Sequence, residues 1–147
     1  MKPTSCAFPL ARVGPRVGVV LVVLVGAFTL LYWAPDRPVS ELADRWAGPP
    51  STFLDLAGLQ VHLRDQGRRD DPMPLVLLHG TSASLHTWDG WVEVLAGERR
   101  VVRVDLPGFG LTGPAPDGDY RIERYVEFVT ALLDALDIER CVLAGNS

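Results

Sequence analysis

Hydrophobic positions recur along the chain with two different periods, which predict strands and helices. Alternation with a period of two, or a short run of apolar β-branched residues, is typical of a strand. Five segments show these patterns, at residues 52–56, 59–64, 75–78, 100–106 and 141–144. The first two flank the turn-forming pair Ala57-Gly58 and together predict a β-hairpin.

Apolar residues spaced three and four apart predict helices between the later strands. Residues 84–95 carry such a stripe, and residues 120–136 form the clearest amphipathic helix. Strands that alternate with helices favour right-handed crossovers and a mostly parallel sheet, so the predicted fold class is α/β. In such sheets ligands bind at the carboxyl ends of the strands.

A different pattern occupies the N-terminal region, where residues 17–35 contain no charge. Tyr32 and Trp33 stand near the end of this run, where interfacial aromatic residues are found in membrane proteins. The run is long enough to predict one transmembrane helix, a retained signal anchor, before the α/β domain. A cleaved signal peptide and a buried core helix are the alternatives. The run is longer than a signal peptide's apolar core and has no polar face, which favours the anchor.

The chain is therefore predicted to have four parts. These are a cytoplasmic tail (1–16), a transmembrane anchor (17–34), a proline-containing linker (35–51) and the α/β domain (52–147). Arg12 and Arg16 precede the apolar run, so the positive-inside rule places the N-terminus in the cytoplasm. The same rule predicts that the α/β domain lies on the extracytoplasmic side of the membrane.

Charge and cysteine usage exclude some partners. All 18 acidic residues lie at Asp36 or beyond, and no basic cluster accompanies them, so nucleic acid is not an expected partner. The two cysteines, Cys6 and Cys141, show no metal-binding spacing. No metal and no cofactor are expected.

Three glycine-containing loops follow predicted strands, at the sheet edge where ligands bind. They are His79-Gly80-Thr81-Ser82-Ala83-Ser84, Asp105-Leu106-Pro107-Gly108-Phe109-Gly110 and Gly145-Asn146-Ser147. Backbone N–H groups of a small-residue loop such as the first can stabilise an oxyanion. Asp105 precedes Pro and Gly, so it is expected to order its turn through backbone hydrogen bonds rather than to act as a catalytic acid. The third loop ends a strand with a serine, as a sharp strand-to-helix turn carrying a nucleophile would.

Together these loops resemble the α/β-hydrolase superfamily, which includes esterases, lipases, haloperoxidases, epoxide hydrolases and C–C bond hydrolases. The matching segments are residues 77–81, Trp88, 104–110 and 143–147, and the resemblance extends from about residue 53 to residue 147. It implies a sheet of the α/β-hydrolase type that stops after the fifth strand, so that residues 52–147 form a partial domain.

The resemblance also implies site residues. Ser147 matches the nucleophile, and Thr81 matches the residue whose backbone N–H forms half of the oxyanion hole. The motif residues that support the loops are His79, Gly80, Asp105, Gly108, Gly110 and Gly145. His79 matches a histidine that supports its loop and is not the general base. A serine nucleophile implies cleavage of an ester, thioester, lactone or C–C bond through an acyl-enzyme, whereas dehalogenases and epoxide hydrolases of the superfamily use aspartate there.

In this superfamily the acid and the histidine follow the serine, so both would lie beyond Ser147. His62, at an outward strand position, is expected at the surface, and His86 on the solvent side or at the pocket rim. We therefore expect the N-terminal portion of a membrane-anchored serine hydrolase for a small ester-like or lipophilic substrate, inactive in this form. The alternatives are a non-catalytic membrane-tethered binding module, or a haloperoxidase or C–C hydrolase of the same superfamily, because pocket residues decide between these activities.

Overall fold

A five-stranded sheet organises the chain from residue 37 onward. The structure is a computed structural model that describes residues 15–35 and 37–147. Its strands are β1 (Ser51–Leu56), β2 (Leu59–Gly67), β3 (Leu75–Leu78), β4 (Arg100–Val104) and β5 (Val142–Gly145). Their order across the sheet is β1-β2-β4-β3-β5.

The sheet is mixed, and the prediction of a mostly parallel sheet is wrong. β2 is antiparallel to both of its neighbours, β1 and β4, whereas β3 is parallel to both β4 and β5. The hairpin joins the sheet through β2, so half of the strand pairings are antiparallel. The α/β class and the five strands fit the structure.

Four α-helices accompany the strands in the described residues. They are α1 (Pro15–Tyr32), α2 (Val39–Trp46), α3 (Asp89–Leu95), which follows a 3₁₀ turn (Leu85–Trp88), and α4 (Ile122–Ala135). The chain divides after Asp36 into two compact units. The first unit contributes α1 to the described residues, and the second holds the sheet with the other helices. α2 lies inside the predicted linker.

The prediction of a transmembrane anchor at residues 17–34 is wrong. α1 has 18 residues, and Arg16 stands in its first turn. The apolar stretch inside it, Val17–Leu31, is about 22 Å long at roughly 1.5 Å per residue, which falls short of a hydrocarbon core of about 30 Å. Among the described residues, no helix combines the length and the apolar character that a membrane crossing requires. The tail predicted for residues 1–16 lies almost wholly outside the described residues, and the extracytoplasmic location stays a prediction.

Helices cover both faces of the sheet because β3 and β4 present apolar side chains in both directions. On one face, Leu77 and Val101 pack against Trp88 and Val92 of the 3₁₀ turn and α3. On the other face, a second cluster gathers around α4; its buried members are Val61, Leu63, Val104 and Leu132. The continuous apolar runs in the sequence thus correspond to strands buried on both sides.

Leu132→Ala should lower the free energy of unfolding by about 2–5 kcal/mol, because the fully buried side chain would leave a cavity between α4 and the sheet. Urea denaturation followed by circular dichroism measures the change. Val126→Ala, at an exposed position of the same helix, should change stability by less than about 0.5 kcal/mol. Equal losses for the two variants would contradict this packing of α4.

Candidate active site

The carboxyl ends of β3, β4 and β5 meet at one edge of the sheet because the three strands are parallel. The pairing of β3 with β5 continues past the strand ends, where the Asn146 N–H donates to the Leu78 carbonyl oxygen at 3.3 Å. Ser147 therefore lies beside the end of β3, where the first of the three glycine-containing loops begins. Ser147 is exposed.

Gly80 lies directly against the backbone of Ser147. A Cβ atom at Gly80 would stand 2.9 Å from the carbonyl carbon of Ser147 and 3.0 Å from its Cα. Because these distances are shorter than a side chain tolerates, the approach depends on a glycine. It brings the first loop and the last loop together and leaves Thr81, the next residue along, exposed at the same edge.

The first loop turns back on itself immediately after Gly80. The Ala83 N–H donates to the Gly80 carbonyl oxygen at 3.3 Å. Ser82 has φ of 58°, in the left-handed region that non-glycine residues seldom adopt. Thr81 and Ser82 thus form the tip of a tight turn, and the turn starts at the residue that contacts Ser147.

His79 connects the first loop to the second. Its ring is buried; Nδ1 lies 2.8 Å from the Gly80 carbonyl oxygen, and Nε2 accepts the Leu106 N–H at 3.0 Å. A carbonyl oxygen can only accept, so Nδ1 carries the proton and Nε2 is the acceptor. The ring of Phe109 packs edge-on against the imidazole at 5.5 Å between centroids. Both ring nitrogens are engaged, and neither is directed at Ser147.

Asp105 is the residue with the most connections at this edge. Its carboxylate is 1% exposed and accepts hydrogen bonds from the backbone N–H groups of Leu85 at 2.7 Å and Leu111 at 2.8 Å. His62 Nδ1 donates to the same carboxylate at 2.8 Å. One side chain thus joins the exit of the first loop, the second loop and strand β2.

The ionised form of Asp105 is favoured in the folded protein. Burial raises the pKa of this carboxyl, but the hydrogen bonds from His62, Leu85 and Leu111 outweigh burial and lower the pKa below its ordinary value.

Gly110 makes room for the carboxylate: it has φ of +52°, and a Cβ there would stand 2.2 Å from Asp105 Oδ2. Gly108, also at positive φ, lies against the ring of Tyr120.

The prediction that His62 is a surface residue is wrong, because its side chain is fully buried. β2 is an interior strand, and the segment after β4 lies over it, with the Thr112 hydroxyl accepting the His62 N–H at 3.0 Å. The second ring nitrogen, Nε2, lies 2.8 Å from Ser51 Oγ. His86 is partly exposed, and its Nδ1 lies 3.3 Å from Asp89 Oδ2. None of these contacts brings either imidazole to Ser147.

A buried arginine beneath the first loop was not predicted from the sequence. Arg103 is 3% exposed; it donates to the Asp89 carboxylate, to Gln66 Oε1 at 2.9 Å and to the Leu85 carbonyl oxygen at 3.4 Å. The sequence did contain a signal for this burial, because Arg103 stands inside the run of β-branched residues that forms β4. Within the part of the chain that the structure describes, no group of side chains is arranged to hold a metal ion.

The model of the alpha/beta hydrolase fold matches residues 73–147, which include β3, β4, α4 and β5 with their loops. The chain belongs to the α/β-hydrolase fold family. The resemblance inferred from the loop sequences is therefore confirmed, and the strands that carry the three loops are those of an α/β-hydrolase sheet.

Two curated relatives with different names are each similar in sequence to this chain. The 2-hydroxymuconate semialdehyde hydrolase of Pseudomonas sp. (strain CF600) is 36% identical over 94 residues, which are 62% of this chain and 32% of the relative. A haloalkane dehalogenase of Psychrobacter cryohalolentis is 38% identical over 114 residues, 74% of this chain and 37% of the relative. The chain spans about a third of the length of the curated relatives it matches.

Solved structures agree with the family. A membrane phospholipase A, described as a bacterial virulence factor, superposes with a TM-score of 0.64 at 28% identity. The match covers 90% of this chain and 43% of that one. The α/β-hydrolase fold is thus supported by sequence and by structure.

Gly110→Ala should destabilise the protein more than Gly118→Ala. Both glycines have positive φ and lie in the segment between β4 and α4, but a Cβ at Gly118 would meet nothing within 4 Å. Gly118→Ala should cost about 1–2 kcal/mol for the left-handed backbone alone. Gly110→Ala should cost about 1–3 kcal/mol more, because its methyl group would displace the Asp105 carboxylate. Urea denaturation of both variants measures the difference, and equal costs would contradict the contact.

Asp105→Asn should destabilise the protein most at neutral pH. The folded-state pKa of Asp105 is lowered, so its carboxylate contributes stability that is fully present above the unfolded-state pKa of about 4. That contribution is lost as the pH falls through the lower folded-state pKa. The difference in unfolding free energy between wild type and variant should therefore narrow as the pH falls below about 4. Urea denaturation at a series of pH values tests this, and a constant difference would contradict it.

Proposed function

We propose that this chain is the N-terminal portion of a serine hydrolase that cleaves ester-like substrates through an acyl-enzyme on Ser147. The observation that carries the proposal is the contact between Gly80 and the Ser147 backbone. A nucleophile and an oxyanion-binding donor must lie within a few ångströms of one carbonyl group of the substrate. Ser147 and Thr81 are neighbours across this contact, which suits them to that pair of roles.

In the proposed reaction, Ser147 Oγ forms a bond to the carbonyl carbon of the substrate, and a general base removes the hydroxyl proton. The carbonyl oxygen becomes an oxyanion, which the Thr81 N–H stabilises. A donor in this position is worth roughly 3 kcal/mol of activation free energy. Collapse of the tetrahedral intermediate expels the alcohol, which takes the proton from the base, and water then hydrolyses the acyl-enzyme.

The general base comes from outside these residues in our proposal. His62 is bound to Asp105 and Ser51, and both ring nitrogens of His79 are occupied. His86 lies beside Asp89. A serine without a base is a weak nucleophile, so we expect the 147-residue polypeptide alone to show no appreciable turnover.

A carbon–carbon bond hydrolase is the second candidate. Two relatives at 36% identity are named as hydrolases of 2-hydroxymuconate semialdehyde and of 2-hydroxy-6-oxo-2,4-heptadienoate. The phospholipase A similarity favours an ester instead. The serine at residue 147 favours either of these over haloalkane or epoxide hydrolysis, because the resemblance implies an aspartate nucleophile for those reactions.

Expression from the complete open reading frame should give a protein that hydrolyses p-nitrophenyl butyrate and is labelled by a fluorophosphonate at Ser147. Ser147→Ala should abolish labelling and lower kcat by more than about 1,000-fold, since it removes the attacking atom. Ser40→Ala, at an exposed position of α2, is the matched control and should keep full activity.

Unchanged turnover in Ser147→Ala would contradict the proposed role of this residue. A larger kcat/KM for 2-hydroxymuconate semialdehyde than for the ester would favour the second candidate. Absence of both activities, with no labelling of the folded protein, would favour the non-catalytic binding module.

A further inference from the structure

An open cleft of about 440 Å³ lies between the β1–β2 turn, the segment after β4 and α4. β1 is at the opposite edge of the sheet from β5. The four strand spacings between them amount to about 19 Å at roughly 4.8 Å each. The cleft shares Pro107 with the loop after β4, but its lining contains none of Gly80, Thr81 and Ser147.

A group of apolar residues in the cleft lining, here called the floor, is partly aromatic. Its residues are Leu56, Leu59, Pro107, Tyr125, Phe128 and Ala131. The Tyr125 hydroxyl donates to the Pro107 carbonyl oxygen at 3.0 Å, which fixes the orientation of the ring. The volume falls within the range of about 300–1,000 Å³ that is typical of small-molecule sites.

The charged residues of the cleft lining, here called the rim, are mostly acidic. The rim holds four carboxylates, those of Asp55, Asp117, Asp119 and Glu127. Arg124 pairs with Asp117 and Glu127, and Arg121 pairs with Asp119. Arg124 belongs to the lining and Arg121 does not, and even with both guanidinium groups counted the four carboxylates leave two negative charges.

Asp55 contributes one of the excess negative charges of the cleft lining. It accepts hydrogen bonds from the Gly58 N–H at 3.0 Å and from Gln60 Nε2 at 2.7 Å, and both donors are neutral. Among the ion pairs of residues 37–147, none includes Asp55. A negative charge thus stands without a cationic partner at the edge of an apolar floor.

We propose that this cleft binds a small organic cation, a substituted ammonium group attached to an apolar or aromatic body. The body would cover the apolar floor, and the ammonium group would lie beside Asp55 near the aromatic rings. An anion would meet a net negative rim whose guanidinium groups are already paired. A hydrated metal ion would leave the apolar floor in contact with water, so an organic cation fits both features.

Titration of the full chain with 2-phenylethyl-trimethylammonium, followed by isothermal titration calorimetry, tests this site. The cation should bind saturably at one site, about tenfold more tightly than the neutral 3-phenylpropan-1-ol, because ion pairing and cation–π contact add to burial of the ring. The anionic 3-phenylpropane-1-sulfonate should bind more weakly than the alcohol. Equal affinity for the cation and the alcohol would overturn the proposal.

Two variants locate the binding. Asp55→Asn should lower the affinity for the cation about threefold, because it removes the negative charge. The affinity for the alcohol should not change, since the amide oxygen of asparagine still accepts the Gly58 N–H. Ala131→Phe should abolish binding of both probes by filling the floor. Asp44→Asn on α2 and Ala135→Phe at the end of α4 are the matched controls and should bind as the wild type does.

The exposed apolar side chains of α1 offer a separate surface to amphiphilic probes. Binding there would persist in Asp55→Asn and in Ala131→Phe, so unchanged affinity for the cation in either folded variant would overturn the proposal. Circular dichroism establishes that each variant is folded, and Asp55→Asn decides the question if Ala131→Phe does not fold. These experiments do not involve Ser147, so their outcome is independent of the proposed hydrolase activity.

Discussion

The buried carboxylate of Asp105 is the interaction on which the sheet edge depends. A charge removed from water is costly unless hydrogen bonds replace those that water supplied. Here two backbone N–H groups and the imidazole of His62 replace them. Each donor belongs to a different segment, so separating any one of the segments would remove a hydrogen bond from the carboxylate. Gly110 is part of the same constraint, because only a residue without a side chain leaves space for the carboxylate.

This constraint reaches the candidate site through the first loop, which is held at both ends. His79 at its start binds the Leu106 N–H, and Leu85 at its exit binds Asp105. Leu106 and Asp105 are consecutive residues, so one short piece of chain fixes both ends of the loop. The backbone between them is thus anchored at both ends to the start of the loop after β4. If Thr81 supplies an oxyanion donor, as we propose, a donor held in place before the substrate binds needs no reorganisation during the reaction.

The sequence was informative where local pattern determines structure. The run at residues 75–78 coincides with β3, and the amphipathic stripe at 120–136 contains α4. The mixed sheet could not be deduced in this way, because the choice of β2 as the neighbour of β4 is a tertiary pairing that no local period encodes. The burial of His62 was missed for the same reason: alternation shows which residues share a face, but not that the segment containing Thr112 lies over the strand. The run at 17–35 was wrongly predicted to cross a membrane because its length was counted in uncharged residues. The apolar part of α1 is shorter than that count.

The three atoms that a Cβ at Gly80 would meet first are all main-chain atoms, two of Ser147 and one of Asn146. The close approach at Gly80 is therefore made to the backbone of this segment. If residue 147 carries the nucleophile, as we propose, a different attacking side chain at this position would leave the backbone contact with Gly80 unchanged.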